Sequence, residues 1–282
     1  MQKIGPIGVF DSGYGGLTIL SEIRKRLPDY DFLYLGDNAR APYGNRSFEV
    51  IYEFTLEAVR YLFSQGCPLV VLACNTASAK ALRSIQQNDL EKIAPNNRVL
   101  GVIRPSTEEV DALTKTKHVG ILATTGTVQS SSYVLELHKF APDVIVEQHA
   151  CPMWVPLIEN NYHQHPAGKM LIEEDVRLLL QKDVAIDTIL LACTHYPILK
   201  ETIQRIVGER ISVVAQGPIV AEKLASYLQA HPEIESRLSK NKTCHYCTSE
   251  NASVFEQKAA QFLGEEISAT TVDLSLFLGN SL

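Results

Sequence analysis

The chain has 282 residues, 45% of them hydrophobic, which is sequence for about two domains and enough apolar surface for two cores, so disorder and fibrous repeats are excluded. Its 26 Lys plus Arg against 32 Asp plus Glu give a formal charge of -6, leaving no basic excess to neutralise phosphates, and nucleic acid is not an expected partner. Six cysteines, at positions 67, 74, 151, 193, 244 and 247, are too sparse and uneven for a disulfide scaffold and read as reduced thiols.

The chain enters a strand-like run within its first ten residues, without a cationic leader or a small-residue cleavage site. The longest apolar runs, Leu69 to Cys74 and Ile189 to Cys193, hold six and five residues, far short of the roughly 20 that cross a bilayer. A soluble cytoplasmic protein with no membrane partner is expected. In chain order, short β-rich runs alternate with helical patterns: Ile7 to Phe10 then Leu17 to Leu27, Phe32 to Leu35 then Glu49 to Gln65, Leu69 to Ala73 then Ala77 to Asp89, and Val99 to Ile103. The alternation resumes with Val119 to Leu122, Val128 to Phe140, Val144 to Gln148, Glu173 to Gln181, Thr188 to Ala192, Ile198 to Val207, Ser212 to Ala215 and Pro218 to Ala230. A last strand and helix fall near Thr243 to Leu263. Apolar strands of this kind are buried on both faces, which predicts an α/β fold of mostly parallel sheets flanked by helices, with ligands beyond the carboxyl ends of the strands.

Two pairs of segments repeat. Leu72-Ala73-Cys74-Asn75-Thr76 returns as Leu191-Ala192-Cys193-Thr194-His195, 119 residues on, and Ile7-Gly8-Val9-Phe10-Asp11-Ser12-Gly13 is echoed by Val119 to Gly126, with Ile7 and Val119 112 apart. The repeat predicts two related halves, each with a Gly/Ser/Thr loop after its first strand and a cysteine loop after a later one. Each cysteine closes an apolar strand and precedes a helical pattern, so each sulfur is expected near a helix N-terminus, where N–H groups lower a thiol pKa and hold a carboxylate. Thr76, Thr194, Asn75 and Ser12 add neutral donors. Two matched thiols facing one ligand suit inversion of a stereocentre, in which a proton leaves one face of a planar carbanion and another arrives on the opposite face. Asp11 and His195 stand where they can tune the sulfurs or shuttle protons.

These residues give the chain its resemblance to a known family. With Gly8 to Gly13 and Gly15-Gly16-Leu17, Tyr34 to Asp37, Pro42-Tyr43-Gly44, Ala73 to Ser78, Gly101-Val102-Ile103, Ala123-Thr124 with Gly126-Thr127, Cys151-Pro152, Val155-Pro156-Leu157 with Glu159, and Leu191 to Pro197, it resembles the glutamate racemases of the aspartate/glutamate racemase superfamily. Thr248-Ser249 and Phe262-Leu263-Gly264 extend the match. The resemblance implies cofactor-independent interconversion of L- and D-glutamate, supplying D-glutamate for peptidoglycan, with Cys74 and Cys193 as the acid–base pair. It implies that Asp11 assists Cys74 and that His195, with Glu159, assists Cys193. Substrate contacts carried over are Asp11, Ser12, Tyr43, Gly44, Asn75, Thr76, Thr194 and His195. It also implies two domains meeting at a cleft, residues 1–98 with 214–282 and residues 99–213, hence two linkers and a hinge. No lysine stands in a pyridoxal-type setting and no metal-ligand spacing is apparent, so neither cofactor nor metal is expected. Assembly is left open, a homodimer included.

The chain departs from the pattern at Gln216-Gly217, where many relatives carry Asp-Ser, and at Ser106, where glycine is common. Competing readings remain: an aspartate or other amino-acid racemase, or a non-catalytic sensor of dicarboxylic amino acids with idle thiols. Gly13-Tyr14-Gly15-Gly16 lacks dinucleotide-binding spacing. Cys244 and Cys247 have CxxC spacing without a second pair and, like Cys67 and Cys151, read as structural thiols. Glu159 reads equally as a solvated loop acid, and Asp11 as a loop-stabilising residue.

Overall fold

The computed structural model describes residues 4–277. Among the described residues, ten strands form two sheets: β1 (Ile7–Asp11), β2 (Phe32–Gly36), β3 (Leu69–Leu72), β4 (Arg98–Gly101), β5 (His118–Ala123), β6 (Ile145–Ala150), β7 (Thr188–Ala192), β8 (Ser212–Ala215), β9 (Cys244–Thr248) and β10 (Ala269–Thr271). The first sheet has the order β10-β9-β2-β1-β3-β4 and the second β6-β5-β7-β8, and all the strand pairs are parallel. The run β2-β1-β3-β4 is therefore repeated by β6-β5-β7-β8, strand for strand. The internal repeat read from the sequence corresponds to a duplicated doubly wound sheet, with β9 and β10 added to the first copy by the returning C-terminal segment.

Alternation of side chains explains why both faces are covered. In β1, Ile7 and Val9 join one apolar cluster while Phe10 joins another; in β7, Ile189 and Leu191 face one way and Leu190 and Ala192 the other. The central strands β1 and β7 are buried throughout, and the edge strands β6 and β10 are partly exposed. The switch points lie between β1 and β3 and between β5 and β7, where crossovers leave in opposite directions and open a crevice at the carboxyl ends.

Several elements differ from those expected. The helix expected over Ala77 to Asp89 begins directly after Cys74, as Asn75–Lys80, and then breaks into a short turn and a π-helical segment, Ile85–Asp89. That over Val128 to Phe140 is interrupted by Ser131, at φ +54°. The segment after Cys193 is a 3-10 turn, Tyr196–Leu199, before the helix Lys200–Val207. Two unexpected helices, Ile103–Leu113 and Trp154–Glu159, carry Pro105 and Pro156 in their first turns. Proline reads as a breaker along a sequence, but in a first turn its missing N–H would have had no intrahelical partner.

The strand ladders also run past both expected domain boundaries. β4 stays paired with β3 as far as Gly101, and β8 with β7 as far as Ala215. The connections between the sheets therefore begin at Val102 and Gln216. After the first, the helix Ile103–Leu113 packs Ile103 and Val110 into the second half; after the other, the helix Gln216–Ala230 packs Val220, Ala221 and Leu224 beside Leu17 and Leu20 of the first.

Candidate active site

The carboxyl ends of β1, β3, β5 and β7 converge on one cavity of about 60 Å³. That volume is well below that of a drug-sized pocket. The first half supplies Ser12, Tyr43, Gly44, Cys74, Asn75 and Thr76 to its wall, and the second supplies Thr124, Cys151, Glu159, Cys193, Thr194 and His195.

The halves are held together at close quarters. Thr18 Oγ1 donates to the Thr194 carbonyl at 2.9 Å, Thr194 Oγ1 donates to Asp11 Oδ1 at 3.2 Å, and the Gly126 N–H donates to the Gly44 carbonyl at 2.8 Å. Thr76 and Thr124 hydroxyls lie 3.0 Å apart. Gly15 is where the approach is tightest: a Cβ there would stand 2.3 Å from Thr194 Oγ1 and 2.4 Å from His195 Nδ1. Gly15 thus serves contact between the halves, while Gly16 leaves room for Asp11.

Both candidate thiols are nearly enclosed. Cys74 is the N-cap of the helix Asn75–Lys80; its Sγ accepts from the Ala77 N–H at 3.5 Å and lies 3.3 Å from Ser12 Oγ. Burial pushes this thiol up to about 11, and the Asp11 carboxyl adds to the rise while Ser12 and the Ala77 N–H oppose it. Burial likewise drives Cys193 well above the ordinary thiol range, opposed by the His195 N–H and reinforced by charge on Cys74. The lowered thiol pKa values expected from helix starts are therefore reversed: desolvation in a closed cleft outweighs a six-residue helix on one side and a 3-10 turn on the other.

Asp11 is fully buried behind the cavity wall rather than in it. Its carboxylate accepts from the Gly13 N–H at 2.9 Å and from Thr194, and burial raises its pKa against the opposing pull of His195. His195 Nε2 and Glu159 Oε1 are 2.9 Å apart. Glu159 is thus paired with His195, not a free loop acid. Tyr43 lines the cavity, but its hydroxyl is bonded to Asp37, which also holds Arg40 at 2.7 Å and Ser249 at 2.7 Å. Its loop is fixed from behind by this polar cluster.

Thr124 is a cavity residue that reasoning from the sequence missed as a site. The signal was present: with Ile7 matched to Val119, Thr124 is the counterpart of Ser12. Cys151 is the other. Read as a bland thiol, it lines the cavity and lies with His149 and Asp175 in a group whose ligand-type atoms are within 4.8 Å of one another, a convergence no sequence spacing announced. Its partners are engaged already: His149 pairs with Asp175 at 2.8 Å, and Trp154 Nε1 donates to Asp175 at 2.7 Å. Cys244 and Cys247 lie on β9, away from the cavity, with Cys247 accepting from Tyr61.

The sequence profile described as Asp/Glu/Hydantoin racemase matches residues 17–224. The chain is 41% identical over 274 residues to a glutamate racemase of Ruegeria sp. (strain TM1040), covering 93% of this chain and 97% of that one. A crystal structure of a glutamate racemase from Bacillus anthracis superposes with a TM-score of 0.87 at 35% identity, covering 96% and 98% of the two chains. That of Francisella tularensis in complex with D-glutamate gives 0.84 at 31%, covering 98% and 99%. A chain with this duplicated sheet, these paired cysteine loops and matches over nearly its whole length belongs to the Asp/Glu/hydantoin racemase family.

Proposed function

We propose that the protein is a cofactor-independent glutamate racemase, with Cys74 and Cys193 as the two acid–base groups and L- and D-glutamate as its partners. The observation that carries the reading is the arrival of two cysteine loops at one cavity from β3 and β7, equivalent strands of a duplicated fold. Relatives that are glutamate racemases, over nearly the full length of both chains, support the substrate.

The chemistry follows from that placement. One sulfur, as thiolate, takes the α-hydrogen of glutamate as a proton; the C–H bond breaks and its electron pair passes into the α-carboxylate. The opposite thiol gives its proton to the other face of the flattened α-carbon. Inverted product leaves the two sulfurs with their protonation states exchanged, ready for the reverse reaction. Ser12, Asn75, Thr76 and Thr194 offer neutral donors that bind the carboxylate. Burial holds both sulfurs as thiols in the free protein, so formation of the reactive thiolate is coupled to the substrate's own ammonium, the positive charge that enters with it. Asp11 acts on Cys74 by its charge, and His195, paired to Glu159, acts beside Cys193.

The same reading gives a cytoplasmic enzyme that supplies D-glutamate for peptidoglycan, built as two domains hinged at Val102 and Gln216, with a homodimer as an assembly for light scattering to test. Among the described residues no helix is long and apolar enough to cross a membrane. The decisive experiment is polarimetry on L-glutamate and L-aspartate without added cofactor, repeated in deuterated water. Loss of rotation with L-glutamate and solvent deuterium at the α-carbon are expected; a faster reaction with L-aspartate, or binding without racemisation, overturns the assignment.

A further inference from the structure

Gln216 lies where the chain leaves the second sheet, and its side chain closes a ring of hydrogen bonds across the two halves. Asn75 Nδ2 donates to Gln216 Oε1 at 2.7 Å, Gln216 Nε2 donates to the Tyr133 hydroxyl at 2.6 Å, and that hydroxyl donates to Asn75 Oδ1 at 2.6 Å. All three residues are at most 2% exposed. Gln216 Nε2 also reaches Ser106 Oγ at 2.7 Å and the Val102 carbonyl at 3.3 Å, and Ser106 Oγ donates to the same carbonyl at 3.0 Å. Ser106 Oγ gives its one hydrogen to the Val102 carbonyl and so can only accept from Gln216, which requires a nitrogen at this position and sets the direction in which the whole ring runs.

The location gives the ring its meaning. Asn75 follows Cys74 and lines the cavity, Tyr133 comes from the helix Ser132–Phe140 of the second half, and Val102 and Gln216 begin the two connections between the sheets. Asn75 Nδ2 carries two hydrogens, and only one has an acceptor among the described residues. Burial of a donor hydrogen without a partner is costly unless a ligand meets it.

We propose that the ring is a positioning device for racemisation: Gln216 and Tyr133 hold the Asn75 amide so that its second N–H is presented to the substrate carboxylate, and they do so by tying that amide to both crossings between the halves. Gln216 and Tyr133 are positioning residues, since neither is in the cavity wall. The assignment rests on the glutamate racemase reading above. It also joins Ser106 and Gln216 in one hydrogen bond.

The test is a double-mutant cycle on the full chain, read by polarimetric kcat and KM for L-glutamate. Tyr133→Phe keeps the ring's shape, removes its hydroxyl, and is expected to raise KM about tenfold with little change in kcat or in its pH profile. Gln216→Met, which removes all of the amide's bonds, raises KM further. In an Asn75→Ala background, which alone raises KM, Tyr133→Phe is expected to cost less than about twofold more, because its effect passes through Asn75. An equal cost of Tyr133→Phe with and without Asn75, or a lowered melting temperature with unchanged KM, overturns the positioning role while leaving the racemase reading intact. A wild-type chain that does not racemise glutamate overturns both.

Discussion

The Cys74 and Cys193 loops leave equivalent strands and line the same cavity, yet they are built differently. Cys74 caps an α-helix, accepts an N–H from Ala77 and lies against Ser12, whereas Cys193 precedes a 3-10 turn and has the His195–Glu159 pair beside it. Both thiols are raised by burial, but Cys74 has more donors working against that rise. Duplication therefore conserved where the sulfurs stand, while the groups that tune them diverged. In a two-base reaction the thiols do opposite work at any moment, so equal environments are not required; one poised sulfur on each face is.

The comparison breaks most directly at the sulfurs themselves. Cys74→Ser and Cys193→Ser are each expected to lower turnover about 1,000-fold, within the usual contribution of an acid–base group, in assays of racemisation and of deuterium uptake. Near-wild-type turnover in either removes the equivalence of the two loops.

Next in size, Gly15→Ala forces a Cβ into Thr194 and His195 and should disturb the second loop only. Overpacking by one methyl typically costs about 1–3 kcal/mol, and a loss of about tenfold or more in kcat/KM is expected, with Cys74 alkylation by iodoacetamide unchanged. Glu159→Gln keeps the shape of the His195 partner but not its charge, and about a tenfold fall in kcat is expected. Enantiomers are equally stable in water, so kcat/KM must stay equal in the two directions for every variant. The lopsidedness appears instead in kcat and KM taken separately and in the primary isotope effects measured from L- and D-[2-²H]glutamate.

The smallest effects are on pH dependence. With both thiols raised, kcat/KM of the free enzyme should climb as pH increases above neutrality, and Cys74 should alkylate faster than Cys193 at each pH. Asp11 works in the opposite sense on stability. Its folded-state pKa is raised by burial, so its contribution is fully present below the ordinary carboxylate value and is lost as pH rises through the folded value. Asp11→Asn should therefore gain melting temperature relative to wild type toward neutral pH and show least gain in acid. A gain that is largest in acid would refute the buried-carboxyl account.

Particular residues show why some of this was legible along the chain. The strand cores are continuous apolar runs bounded by polar loops, so Ile7 to Phe10 and Thr188 to Ala192 identify themselves, and duplication leaves Cys74 and Cys193 flanked by the same words. Thr124 was readable as the image of Ser12, a hydroxyl at the matching position of the second half. The helices at Ile103 and Trp154 were hidden by prolines whose effect depends on where in a turn they fall, which local composition does not reveal.

Sequence by itself determined the α/β architecture, the duplication and the pair of cysteine loops, because strand burial and repeated motifs are written in neighbouring residues. Only the tertiary structure decided the electrostatics and the long-range partners. The direction of a thiol's pKa shift depends on how much water the closed cleft excludes, and the Asn75–Gln216–Tyr133 ring joins residues 58, 83 and 141 positions apart. Burial and distant hydrogen bonds are properties of the folded whole, so motifs place the sulfurs while packing sets their chemistry.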